Sequence, residues 1–334
     1  MRIGRAARSA DATPRLVAVA PEGEGLVDLV TADVALSTRR GATHEAATRV
    51  AEAKFPGSLT TALDRGAGVL LEEASAALAS FDERALIPLE EAVLLPPADP
   101  RVLRCCSAFE EHARNGFSRL GQSVPATFYE FPPYYKGSPA SLIGHRAPVR
   151  WPGYTQSMDY ELEFALVMGS RSTNLHPEDA ASHIFGVTVM NDFSARDTQS
   201  LEAGQGLGPC KAKDFATALG PWITTLDELD IHDLPMIARV NGVEWSRGSS
   251  STMTWLPEEL VAYLAYGEEL LPGDVIASGT VGNGCGLELG KELAPGDVVE
   301  LEIGGIGTLT NQIGQPETSG WRPVPRRQFA GGTQ

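Results

Sequence analysis

The segment Met158-Asp159-Tyr160-Glu161-Leu162-Glu163-Phe164-Ala165-Leu166-Val167-Met168-Gly169 constrains the fold more than any other in the chain. Its alternation predicts a β-strand, with Tyr160, Leu162, Phe164 and Leu166 on one face and Asp159, Glu161, Glu163, Ala165 and Val167 on the other. Glu161 and Glu163 then point the same way, their Cα atoms roughly 7 Å apart. Two such carboxylates repel unless positive charge lies between them, and a hard divalent cation with oxygen ligands meets that need. An edge strand with a solvated polar face is the alternative.

Composition narrows the partners. The chain has 27 basic and 43 acidic residues, a formal charge of −16, which argues against nucleic acid or an anionic membrane surface as the main partner. Solubility alone also explains such acidity. At 334 residues the chain can bury roughly three quarters of its unfolded surface. It has no run of about 18 apolar residues to cross a membrane, and Arg2 and Arg5 precede no signal-peptide core, so a cytoplasmic protein is expected. Cys105, Cys106, Cys210 and Cys285 lack the CxxC spacing of a zinc site or a disulfide framework, so reduced thiols are expected.

Residues 1–93 are expected to form a small α+β domain: a hairpin from Arg15–Ala20 and Leu26–Val30, then helices over His44–Phe55 and Ala67–Phe81. A proline-rich crossing at 94–100 leads to a larger region over 100–312, with 313–334 as a tail. In that region Val102–Cys106 reads as a strand. Ser107 and Glu110 have capping-box spacing, which places His112 in the following helix, as a structural residue or as an acid–base group. Tyr134-Tyr135-Lys136-Gly137 lies in a Pro/Gly-rich segment. Gly186–Met190 reads as a buried strand delivering Asn191-Asp192-Phe193-Ser194-Ala195-Arg196-Asp197-Thr198-Gln199, in which Arg196 and Gln199 share a helical face. Lys213 follows a glycine-rich stretch. Gly282–Gly286 sits in a glycine-dense loop that matches neither GxGxxG nor a Walker loop. Two Pro-Gly turns, at 272–273 and 295–296, each precede a strand.

Three stretches together resemble the fumarylacetoacetate hydrolase family: Asp159-Tyr-Glu-Leu-Glu163, Asn191-Asp-Phe-Ser-Ala-Arg-Asp-Thr-Gln199, and Ser278-Gly-Thr280 with Gly284-Cys-Gly-Leu-Glu288. The resemblance implies an α+β, β-rich fold, a mixed β-sandwich roll around a divalent ion (Mg2+ first, Mn2+ or Ca2+ otherwise), and a homodimer. By the same resemblance Glu161, Glu163 and Asp192 are the metal carboxylates. Arg196, Gln199 and Lys213 line the metal and substrate oxygens, and His112 and Glu288 activate water. Gly279 and Thr280 contact a substrate carboxylate, and Tyr135 the substrate more loosely. Fumarylacetoacetases carry a further aspartate seven residues before the histidine, where this chain has Cys105. A hard cation prefers oxygen to thiol, so a water is expected in its place.

These residues suit a substrate offering two oxygens, a 1,3-diketone, acylpyruvate or other oxo acid. Retention of both His112 and Glu288 favours a metal-dependent hydrolase that cleaves a C–C bond through a metal-bound enolate. Decarboxylation of a 2-oxo acid, tautomerisation, isomerisation and hydration use the same enolate and are the alternatives. A non-catalytic, metal-stabilised binding protein would have no use for His112, Lys213 and Glu288 together.

Overall fold

In the computed structural model, residues 1–7, 13–21, 23, 25–119, 121–318 and 321–326 are described. The carboxylate segment lies at the centre of a twelve-stranded sheet. Its strand Leu162–Met168 pairs antiparallel with Ile184–Asn191 on one side and with Val275–Ala277 on the other. It is buried throughout, so the solvated-edge alternative fails.

The expected alternation of faces sorts this strand between two cores. Leu162, Phe164 and Leu166 pack with Met236, Leu301 and Ile303 of a five-stranded sheet. Ala165 and Val167 face the other way, against Leu16, Leu29, Leu63 and Leu70 of the leading segment. The large sheet is therefore a middle layer, with a second sheet on one face and helices on the other. Each fully buried Leu or Phe along it contributes about 2 kcal/mol of apolar burial. This is the β-rich α+β architecture expected.

Three local expectations are corrected. The strand expected to run unbroken from Met158 divides into Met158–Asp159 and Leu162–Met168, because Tyr160 N–H donates to Asp159 Oδ1 and Glu161 N–H to Asn191 Oδ1 instead of to a ladder carbonyl. The second hairpin strand stops at Asp28, whose side chain accepts from Thr31 N–H and starts a helix over Leu29–Arg39. The capping box at Ser107 does not form. Ser107 N–H pairs with Pro133 O, and the helix Glu110–Arg119 begins where Glu110 N–H meets Thr254 Oγ1.

The boundaries expected at residues 93 and 312 cut across hydrogen-bonded strands. Arg2–Ala7 pairs with Thr217–Thr225 inside the large sheet. At the other end, Gly307–Pro316 runs beyond 312 with Ile313 opposite Val149 and Pro316 opposite Trp151. Residues 319, 320 and 327–334 of the expected tail lie outside the described residues.

Candidate functional site

Adjacent antiparallel strands bring the three acidic residues together. Leu162 lies opposite Asn191, so Glu161 and Glu163 flank the level at which Asp192 leaves its strand. Glu161, Glu163 and Asp192 each offer a carboxylate oxygen within 4.8 Å of the others, and all are buried. Burial and the neighbouring Asp192 and Glu161 charges push the Glu163 carboxyl well above its usual range. Burial also raises Asp192, with Lys213 working against it. Burial would raise Glu161 too, but the charges of Lys213 and Arg196 outweigh it and hold Glu161 far below the usual range.

The cations arrive from the segment after Asp192. Ser194–Ala195 pairs with Met158–Asp159, which sets Arg196, at the start of the helix Arg196–Ala203, beside Asp159. Its Nε donates to Asp159 Oδ2 at 2.9 Å, and its Nη1 to Glu161 Oε1 at 2.7 Å and Gln199 Oε1 at 2.9 Å. Arg196 and Gln199 thus share a face as expected. Lys213 is placed by the Ala195 N–H to Ala212 O bond next to it in the chain. Its Nζ reaches Glu161 Oε2 at 2.5 Å, Asp192 Oδ2 at 2.9 Å and Ser194 Oγ at 2.7 Å.

These observations fit a divalent ion. Four buried carboxylates, Asp159, Glu161, Glu163 and Asp192, face two buried cations, Arg196 and Lys213. With all four carboxylates ionised the group is two positive charges short of balance, and buried charge is costly unless paired. Asp192 Oδ1 is buried with no hydrogen-bond partner, an oxygen left for a ligand. An all-oxygen set suits Mg2+, Mn2+ or Ca2+.

Gly279, Thr280 and Tyr135, expected at the substrate, brace the acidic residues here. Glu163 accepts from Gly279 N–H at 3.1 Å and Thr280 Oγ1 at 3.2 Å, and the Tyr135 hydroxyl donates to Asp192 Oδ2 at 2.6 Å. Gly279 has φ +86, and a Cβ there would come within 2.5 Å of Cys106 O, so only glycine presents that N–H. Cys105 lies opposite Tyr135 in the adjoining strand. Its burial, with Asp192 and Glu163 nearby, pushes the thiol well up, and a hard ion prefers oxygen to thiol.

His112 and Glu288 meet between two helices, Glu110–Arg119 and Gly286–Leu289. His112 Nδ1 lies 2.8 Å from Glu288 Oε2, with the histidine side chain 20% exposed and the glutamate 1%. Glu288 Oε1 accepts from Asn115 Nδ2 and from Asn283 N–H, both at 2.9 Å, while Cys285 Sγ sits 3.2 Å from Oε2. Burial would raise the Glu288 carboxyl, but the bonds from His112, Asn115 and Asn283 hold it below its usual range. His112 and the acidic residues line one cavity of about 400 Å³, together with Cys105, Tyr135, Gln199 and Lys213, while Glu288 stands behind the histidine, outside that lining.

Two residues that matter for this geometry were not singled out from the sequence. Asp159 accepts from the Gly286 and Leu287 amides at the start of the short helix Gly286–Leu289 as well as from Arg196. It thereby ties the Glu288 helix to the acidic site, and a Cβ at Gly286 would come within 2.6 Å of its Oδ1. Its signal was its place on the same face as Glu161 and Glu163. Asn115 lies three residues after His112 on a helix, a spacing that puts both on one face.

Residues 101–314 match the family described as fumarylacetoacetate (FAA) hydrolase C-terminal. The chain is 37% identical over 223 residues to oxaloacetate tautomerase YisK of Bacillus subtilis (strain 168), covering 66% of this chain and 71% of that protein. It is 30% identical over 263 residues to the mitochondrial oxaloacetate tautomerase FAHD2A of Homo sapiens, covering 78% of this chain and 80% of that protein. Among solved structures, the fumarylacetoacetate hydrolase of psychrophilic Exiguobacterium antarcticum superposes with a TM-score of 0.69 at 26% identity, over 94% of this chain and 99% of that one. The 5-carboxymethyl-2-hydroxymuconate delta-isomerase of Mycobacterium smegmatis does so with 0.65 at 25%, over 95% and 100%. With the match spanning the carboxylate segment, the Asp192 block and the Glu288 loop, the chain belongs to the fumarylacetoacetate hydrolase family.

Proposed function

We propose that the chain is a metal-dependent tautomerase that interconverts the enol and keto forms of a 2-oxo acid, with oxaloacetate as the first substrate to test. One observation carries the reading: His112, fixed through Nδ1 by Glu288, lines the same cavity as Glu161, Glu163 and Asp192. A proton carrier thus faces the place where a chelated 2-oxo acid would sit. The two relatives named as oxaloacetate tautomerases support this over the C–C hydrolysis expected from the sequence.

The ion would be held by Glu161, Glu163 and Asp192, and when bound it supplies the Lewis acidity that makes the carbon next to a 2-oxo group more acidic. Glu288 remains ionised and holds the Nδ1–H tautomer of His112, which leaves Nε2 as the base. In the keto-to-enol direction Nε2 removes a proton from C3 and delivers it to the C2 oxygen, and in the reverse it takes the enol proton from that oxygen and returns it to C3, so the reaction is balanced without a further reactant. Gln199 presents its amide N–H2 group as a donor, because Arg196 occupies its Oε1. Lys213 offsets negative charge developing on the substrate oxygen. A homodimer, checked by light scattering, belongs to the same reading.

Decay of oxaloacetate enol absorbance with Mg2+ present tests the proposal. Acceleration by wild type, lost in His112→Ala, is the expected result. Hydrolysis is the second reading, since the same dyad can draw a proton from water. Release of a carboxylic acid from an acylpyruvate, with no effect on the oxaloacetate enol, would establish it instead.

A further inference from the structure

Beyond the acidic cavity, past His112, lies a second cavity of about 490 Å³. The two share Ser107, His112, Phe117, Pro133 and Gln199 as walls, so they are one continuous space. The far part differs in chemistry. It is faced by Phe117, Phe128, Phe131, Pro125, Pro133 and Leu287, and Phe131 is 44% exposed at its rim. Two guanidinium groups stand on its border, one ion-paired and one exposed to water. Arg119 Nη2 donates to Glu288 O at 3.0 Å, and Arg196 is held by Asp159 and Glu161.

We infer that this chamber is a subsite for an uncharged alkyl or aryl substituent carried on C3 of the 2-oxo acid, and that the preferred substrate is larger and less polar than oxaloacetate. The inference rests on the proposed 2-oxo acid chemistry and specifies its substrate class. A second carboxylate entering the chamber would lose its water, find ring carbons and lie near the ionised Glu288, a penalty that the exposed Arg119 at the border offsets only in part. An alkyl or phenyl group entering it is removed from water against apolar walls. Each buried methylene is then worth about fourfold in affinity. His112 stands at the junction, so a substrate spanning both spaces carries its C3 past the proton carrier.

The test uses N-substituted oxamates, whose amide nitrogen stands where C3 stands in the substrate and which do not turn over. Calorimetry on the Mg2+-loaded protein compares N-methyl-, N-butyl- and N-benzyloxamate. Going from N-methyl to N-butyl should tighten binding on the order of 50-fold, with N-benzyl at least as tight as N-butyl. Ala203→Trp, which fills the chamber, and Phe131→Glu, which charges its rim, should each reduce that ratio to about one. A flat series in wild type, no binding of any oxamate, or a ratio unchanged in both variants would overturn the subsite. The tautomerase reading fails separately: it falls if the series binds but neither oxaloacetate nor phenylpyruvate enol is turned over.

Discussion

The two halves of the cavity are built on opposite electrostatic plans. At the acidic end, Glu163 and Asp192 are raised by burial and crowding, and Asp192 Oδ1 has no partner. At the dyad end, Glu288 is nearly as buried, yet three donors satisfy it and its carboxyl is lowered. One end is short of positive charge and the other is complete in itself. A site that must accept an ion is left unbalanced at some cost to the free protein, whereas a group that must orient a histidine is held in one geometry by its hydrogen-bond donors. The elements follow the same division. The acidic residues lie on a central strand or directly at the strand ends beside it, while His112 and Glu288 come from a ten-residue helix and a four-residue one.

The largest effects that could break this contrast are at the acidic end. Glu161→Ala, Glu163→Ala and Asp192→Ala should each reduce turnover by about a thousandfold or more and weaken Mn2+ binding in calorimetric titration. Unchanged affinity in all three variants would remove the ion from the site. His112→Ala should cost about 100- to 10,000-fold in kcat while Mn2+ affinity stays near that of wild type. Full turnover in that variant would end its role as proton carrier.

The stability of the two ends should respond with opposite sign. Without metal, Glu163→Gln relieves repulsion and should raise stability by about 1 kcal/mol, read as a higher Tm. Glu288→Gln should lower it by a similar amount, because Glu288 is held below its usual 4.5 and the ionised form therefore favours the folded state. That contribution is fully present above the unfolded value and is lost as pH falls through the folded one. The difference in Tm between Glu288→Gln and wild type should accordingly shrink below about pH 4. A destabilising Glu163→Gln together with a neutral Glu288→Gln would erase the contrast.

The smallest effect tests Cys105. Cys105→Asp adds a fourth carboxylate facing the site and should tighten Mg2+ binding by about tenfold, with slower turnover because the ion becomes a poorer Lewis acid. Cys105→Ser should change either by less than about threefold. A loss of Mg2+ affinity in the serine variant as large as that of the carboxylate deletions would make the thiol a ligand.

Much of this was legible in the chain itself. Alternation in the carboxylate segment placed Glu161 and Glu163 on one face because strand side chains alternate regardless of what surrounds them. The spacing of Arg196 and Gln199 foretold their contact for the same local reason. Local pattern misled at Leu26–Val30 and at Ser107. Apolar β-formers at the first were overridden by the Asp28 cap, and the capping-box spacing at the second by a partner, Thr254, distant in sequence.

Residue type and local spacing therefore determined the strands, the acidic pair and the candidate partners. Only the tertiary structure decided that Asp159 joins Arg196 to the Glu288 helix, that Asn115 reaches Glu288, and that an apolar chamber opens beside His112. Backbone periodicity acts within a few residues and is written into neighbouring positions. Contacts between residues more than a hundred positions apart depend on the register of strands and the layering of sheets, which the whole chain sets together.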